Sequence, residues 1–352
     1  MQQENMSTVV IIDDNRLKRQ FLADILKNDF SVHVFPSEKE ALPALPGLKP
    51  QCILLDMERP GEDCFQTIRN IRKNPVLAGV PLVFITSIAD NEAERLVLEN
   101  GGADYLGNRF SPGIIRTRVK NLAELYGYRC DLERQVEKKT QSVLQLQDAI
   151  ILVLSDLVEC RDEKTSGHAQ RTRDYVARLI DQLLADGIYT EDLTPEFIRD
   201  IIRAAPLHDI GKIGIRDLVL NKPSKLTPEE FEEIKRHTIV GGSAIEHAMK
   251  GVHDNSFLRV LRNMAFTHHE RWDGTGYPLG LCGASIPLCG RIMAIPDVYD
   301  ALVSERPYKT PLRHEDAVEL IREGVGKHFD PLVGRAFLAC EQDFEKISQS
   351  LA

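Results

Sequence analysis

The sequence predicts a multidomain protein: an α/β doubly wound, five-stranded parallel sheet, then a helical connector, then an all-α domain. Three observations predict it. Up to about residue 125, short apolar runs alternate with amphipathic segments of helical length; from 121 to 160 no glycine or proline follows Gly127; beyond 160 helical periodicity replaces strand-like alternation. At 352 residues, 43% of them apolar, the chain is long enough to bury two cores.

The strand-like runs are VVII (9–12), VHVF (32–35), CILL (52–55), LVFI (82–85) and ADYL (103–106). In a doubly wound sheet, ligands gather at the carboxyl ends of the strands. Asp13 and Asp14 follow the first run, Asp56 follows the third, and Thr86 and Ser87 close the fourth. In the connector, Val136, Val143, Ile150 and Leu157 form one seven-residue series, and Leu125, Leu132, Leu146 and Val153 another that Lys139 interrupts. Such a seam fits a homodimer or a single helix packed along one domain. The predicted boundaries are 8–125, 126–148 and 149–345. Within the last segment, Thr194-Pro195 and Thr227-Pro228 read as helix starts and Gly241-Gly242 as a stop.

A formal net charge of −9 argues against general binding to nucleic acid or a membrane surface. The longest apolar run, 149–154, is far too short to span a bilayer. MQQENMSTVV lacks the features of a signal peptide, and the seven cysteines show no CxxC spacing, so a cytoplasmic protein with reduced thiols is expected.

The histidines carry the chemistry. His168 lies on the same helical face as Tyr175 and Leu179; Ile198, Ile201, Ile202 and Ala205 lead to His208 and Asp209; Phe231, Ile234 and Ala244 bracket His237; Leu258, Leu261, Met264 and Ala265 lead to His268 and His269; Ile292 and Ile295 precede Asp297. So many buried imidazoles and carboxylates are costly without partners, and a metal cluster supplies partners for all of them. A mixed donor set of this size suits five- or six-coordinate Fe, Mn, Co or Ni better than structural zinc. His33, His247, His253, His314 and His328 lack that support and read as structural or exposed.

HDIGKIGI (208–215) and HHERWDGTGYP (268–278) resemble the signature motifs of the HD-GYP family, a branch of the HD-domain metal-dependent phosphohydrolases. PDVYDAL from Pro296, SERPYK from Ser304 and FDP at 329–331 extend the likeness over about 150–345. The resemblance implies hydrolysis of cyclic-di-GMP to pGpG and/or GMP. It implies that His208, Asp209, His237, His268, His269 and Asp297 hold the metals, with Asp209 bridging, and that His168 matches a position that ligates metal in some members. Members with a third metal carry a glutamate four residues before that histidine; Lys164 stands here, so two metals are expected, Fe or Mn favoured over Co or Ni. The resemblance also assigns a catalytic role to Asp209 and Lys212 and substrate contacts to Lys212, Arg306, Lys309 and Tyr277. In HHERWDGTGYP, Gly274 and Gly276 permit the bend and Pro278 stiffens the exit.

The first domain resembles the receiver of two-component response regulators. That likeness implies Mg binding by Asp13, Asp14 and Asp56, phosphorylation of Asp56, and switch roles for Thr86 and Tyr105. Receivers place a lysine and a proline after the switch aromatic, where this chain has Asn108 and Arg109. Receiver, connector and HD-GYP output together resemble regulators of the diffusible-signal-factor (Rpf) quorum-sensing type, which implies a hybrid sensor histidine kinase upstream and GGDEF-domain proteins as partners. The alternatives are a scaffold that binds nucleotide or GGDEF partners without turnover, and an HD hydrolase of another nucleotide such as a guanosine tetraphosphate alarmone.

Overall fold

Runs such as VVII and CILL need cover on both sides, because successive side chains of a strand point to opposite faces. The computed structural model, which describes residues 6–57, 64–86, 95, 101–107, 111–161, 167–252, 255–304 and 310–350, gives them that cover. Strands β1 (Thr8–Ile12), β2 (Ser31–Phe35), β3 (Cys52–Asp56), β4 (Leu82–Thr86) and β5 (Asp104–Gly107) form one parallel sheet in the order β2-β1-β3-β4-β5. On one face, Val10, Ile12, Ile53, Leu55 and Phe84 pack with Ala41 and Leu45 of α2 (Glu38–Leu48) and Ile68 and Ile71 of α3 (Cys64–Lys73). On the other, Val9, Ile11, Leu54 and Val83 pack with Leu22 and Leu26 of α1 (Arg16–Leu26) and with Ile115 and Val119 of α4 (Pro112–Arg161). Because β1 and β3 are neighbours with Ile12 beside Leu55, their carboxyl ends bring Asp13 close to Asp56.

Contacts divide the chain into two units, residues 1–141 and 142–352. The helix α4 is 50 residues long. Leu125, Leu132, Val136, Val143, Leu146, Ile150, Val153 and Leu157, the whole of the predicted seam, are 49% to 67% exposed. Among the described residues, no helix is long and apolar enough to cross a membrane.

The second unit contains α5 (His168–Ala185), α6 (Pro195–Ala204), two 3-10 turns (Ala205–Leu207 and Ile210–Gly214), the short α7 (Asp217–Leu220), α8 (Pro228–Met249), α9 (Ser256–Thr267), α10 (Leu288–Val303), α11 (His314–Gly324) and α12 (Pro331–Ser350). Thr194 caps α6 by accepting from Phe197 N at 3.2 Å, and Thr227 and Glu230 form a capping box at the start of α8. The core joins Tyr175 and Leu179 of α5, Ile201 of α6, Met264 of α9, Ile292 of α10 and Phe344 of α12, with Tyr175 stacked on Phe344 at 4.7 Å.

Two expectations are corrected. Gly241-Gly242 does not stop a helix but lies inside α8. Both glycines serve close packing: a Cβ on Gly241 would lie 3.0 Å from Gly211 N, and one on Gly242 would meet the Phe266 ring at 2.3 Å. In addition, Phe231 and Ala244 do not flank His237 in the interior. The inward face of α8 runs through His237, Thr238, Gly241, Gly242 and Ile245, leaving Phe231 and Ala244 exposed.

Candidate metal centre

The α6 helix ends at Ala204, so His208 and Asp209 sit between the two 3-10 turns rather than on a continuing helix. Gly211 makes that path possible, since a Cβ there would lie 1.9 Å from His237 O. The tight segment lies against α8, which presents His237, and beside the end of α9, where His268 is the C-cap. His168 opens α5, and Asp297 follows Pro296 inside α10.

These elements bring every predicted ligand together in two adjoining groups. Asp209, His237, His268 and His269 each offer an atom within 4.8 Å of the others, as do His168, His208, Asp209 and Asp297. Asp209 belongs to both.

Hydrogen bonding fixes the imidazoles. Nδ1 of His208 lies 2.7 Å from Ala205 O, Nδ1 of His237 2.7 Å from Ile234 O, and Nδ1 of His268 2.9 Å from Met264 O. A carbonyl only accepts, so each Nδ1 carries a proton and each ring turns Nε2 towards the centre. His168 is oriented in the same way by Asp300, its Nδ1 at 2.7 Å from Oδ2.

The Nε2 atoms then confront one another and the carboxylates. His237 Nε2 and His268 Nε2 are 3.3 Å apart, and these atoms lie 3.3 and 3.7 Å from Asp209 Oδ1. His208 Nε2 is 3.4 Å from Asp209 Oδ2 and 3.6 Å from Asp297 Oδ1. Neighbouring ligands bonded at ordinary metal–nitrogen and metal–oxygen lengths stand about 3.0–3.4 Å apart, so this donor set fits divalent cations.

Charge is finely divided. Burial opposes protonation of His208, but Asp209 and Asp297 overcome it and push its pKa up to about 9. Burial brings His237 down to about 4 against the pull of Asp209, with His268 and Lys212 assisting. His269 is also held well below the usual range, by burial and then by His268. Burial would raise Asp297, yet His208 and His269 keep it strongly ionised. Lys212 Nζ sits 2.8 Å from Asp209 Oδ2, reaching it across one 3-10 turn. Tyr277 lies against His269, ring centroids 4.8 Å apart. Arg306 and Lys309 lie outside the described residues, as do Lys164 and His253.

Two supporting acids were not singled out from the sequence. Asp300 receives both His168 and Arg171, the latter through Nε at 2.7 Å, and stands one turn after Asp297 in PDVYDAL. Glu270 is buried and accepts from Leu279 N at 2.7 Å and Leu281 N at 3.0 Å, tying the GYP turn to the histidine pair. Within that turn Gly274 has φ +81°, and a Cβ on Gly276 would lie 2.3 Å from Arg271 N.

In the first unit, Asp13, Asp14 and Asp56 form a third donor group, made of carboxylates alone. Asp13, Asp56 and Thr86 are buried and Asp14 is exposed, while Tyr105 packs partly buried against the core. Burial raises the Asp13 carboxyl, partly offset by a hydrogen bond from Asn15 N. Lys18, which no pattern in the sequence marks, places its Nζ 3.9 Å from Asp56 Oδ1. Asn108, Arg109 and Ser87 are outside the described residues.

The HD domain profile matches residues 152–333 of this arrangement. The chain belongs to the HD-domain family. Its first unit is matched by the response regulator receiver domain over residues 9–120. A probable cyclic di-GMP phosphodiesterase of Vibrio cholerae serotype O1 is 38% identical over 100% of this chain and 82% of its own length. The cyclic di-GMP phosphodiesterase response regulator RpfG of Xanthomonas campestris pv. campestris is 33% identical over 96% of this chain and 89% of its own. A 3'3'-cGAMP-specific phosphodiesterase 2 of Vibrio cholerae is 33% identical over 66% of this chain and 42% of its own. The HD family is metal-dependent, in keeping with the clustered donors of the second unit.

A metal bound at His208 must displace the proton that Asp209 and Asp297 otherwise hold there. Affinity should therefore rise with pH by about tenfold per unit up to a pH of about 9, then level off. Titration against a competing chelator across this range checks it; a flat profile would remove His208 from the ligand set.

Proposed function

We propose that this chain is a receiver-controlled phosphodiesterase that hydrolyses cyclic-di-GMP at a two-metal centre held by His168, His208, Asp209, His237, His268, His269 and Asp297. The observation that carries the reading is Asp209 shared between two donor groups. The relatives named for cyclic di-GMP support the substrate. Iron or manganese fits the mixed imidazole and carboxylate set, with cobalt or nickel admissible. When bound, the metals would supply Lewis acidity at a phosphodiester and activation of the attacking water.

The chain's own groups orient and neutralise. Nδ1 protons fixed on Ala205 O, Ile234 O and Met264 O keep the imidazoles from rotating away from the centre. Lys212, held at the rim by Asp209, is placed to take up charge on a phosphoryl oxygen, with Arg306 and Lys309 as further substrate cations and Tyr277 as a substrate contact. Water adds to phosphorus, the bond from phosphorus to the 3′ oxygen breaks, and that oxygen receives the proton, giving pGpG; a second round gives GMP. Hydrolysis of 3'3'-cGAMP is a second activity to assay, because one relative is named for it.

For control, we propose Mg binding at Asp13, Asp14 and Asp56, phosphorylation of Asp56 by a hybrid sensor histidine kinase, and Thr86 and Tyr105 as the switch pair. Lys18 supports this by placing a cation beside the acceptor carboxylate. The exposed seam of the connector (126–148) and its flanking turns supports homodimerisation, since burying those side chains against a second copy removes apolar surface from water. The GYP turn is the proposed contact for GGDEF-domain partners, and the cytoplasm is the proposed location.

Chromatography of reaction products with metal analysis tests the catalytic reading. Asp209→Ala should abolish hydrolysis and lower bound metal, while Lys212→Ala should keep the metals and reduce turnover by about 10²-fold. Full activity with unchanged metal in Asp209→Ala would refute the assignment.

A phosphoryl mimic should raise the dimer fraction and turnover together, modestly in the wild type, not at all in Asp56→Ala, and less in Lys18→Met. Sedimentation beside turnover reads both. Identical behaviour in all three proteins would leave an enzyme that phosphorylation does not govern.

A further inference from the structure

Phe231 lies six residues before the ligand His237 on α8, and it is 46% exposed although its neighbours in the pattern predict an interior position. It does not stand alone. The Tyr277 ring faces it edge-on at 6.4 Å and 78°, and the other side of Tyr277 adjoins His269 at 4.8 Å. Lys235 Nζ sits over both rings, 5.0 Å from the Phe231 centroid and 5.4 Å from that of Tyr277. Glu232, itself well exposed, holds the ammonium at 2.6 Å. An aromatic platform, a cation and a carboxylate therefore open to solvent immediately beside the metal ligands.

A nucleobase offers two features such a surface can read: a π-face and an edge of donors and acceptors. Stacking on an aromatic ring is indifferent to the base. The edge is not. Guanine sets the acceptor O6 beside the donor N1–H, whereas adenine reverses the order with a donating amino group beside the acceptor N1. The Lys235 ammonium only donates and the Glu232 carboxylate paired with it only accepts, so the pair is complementary to guanine and opposes adenine on both counts. Tyr277 touches His269, so the platform adjoins the metal ligands, where a phosphodiester would bring its nucleoside near.

We propose that Phe231, Tyr277, Lys235 and Glu232 form a guanine-selective subsite, with Lys235 and Glu232 as its specificity-determining residues. The proposal rests on the cyclic-dinucleotide reading above and adds which part of the substrate is read, and by what. Tyr277 gains a definite place in it, as the ring between the base and the ligand His269.

The test pairs turnover with direct binding in the metal-loaded, full-length protein. Equilibrium titration with GMP and AMP should show tighter binding of GMP. Lys235→Met, which keeps the aliphatic stem over the rings, should erase that preference and raise KM for cyclic-di-GMP by about tenfold, with bound metal unchanged. Phe231→Ala should weaken GMP and AMP alike by about tenfold. Equal binding of GMP and AMP by the wild type, or Lys235→Met with its KM and base preference intact, would overturn the proposal. So would loss of metal in Lys235→Met, which would make it a support for His237 instead. Absence of cyclic-di-GMP turnover with the GMP preference intact would count against the enzymatic reading alone and leave the subsite standing.

Discussion

Two histidine nitrogens, Nε2 of His237 and Nε2 of His268, face each other at 3.3 Å while both rings spend their protons on backbone carbonyls. With each Nδ1 committed to a carbonyl, two Nε2 atoms this close in a buried site need a cation between them, either a proton or a metal ion. The second unit is arranged around that requirement. A 3-10 segment replaces a helix so that His208 and Asp209 can reach the centre, and Gly211 and Gly241 let that segment lie against α8. Asp300 and Glu270, one behind His168 and the other behind the GYP turn, are partners that keep the first layer of side chains in place.

The parts of this arrangement that were legible in the sequence are those that follow from burial. Strands covered on both faces read as continuous apolar runs, and each observed strand differs from its run by a residue at one or both ends. Histidines at interior positions of several helices announced a shared polar centre, and the structure brings those side chains together. What could not be read depends on close approach rather than on pattern. Gly241-Gly242 has the look of a helix stop, and only the positions of Gly211 and Phe266 show why a helix continues through it. Asp300 was one acid among many until His168 and Arg171 were seen on it, and Phe231 followed the apolar pattern while standing outside the core.

The receiver unit uses the same electrostatics in a milder form. Asp13 and Asp56 are buried side by side at the ends of adjacent strands, an arrangement that favours a bound cation, and Lys18 approaches from α1. The apolar side chains of the α4 seam, from Leu125 to Leu157, stay exposed within one chain, and they are the surface that the proposed homodimer would bury. A signal that alters this meeting needs only to change how favourable it is.

In the reading proposed above, Asp209 joins two metals into one centre. Electron paramagnetic resonance of the manganese-loaded, full-length protein tests it most directly, because ions bridged by a carboxylate are magnetically coupled and separated ions are not. The expected spectrum is an exchange-coupled signal that disappears in Asp209→Ala. A spectrum of isolated ions alone in the wild type would contradict it.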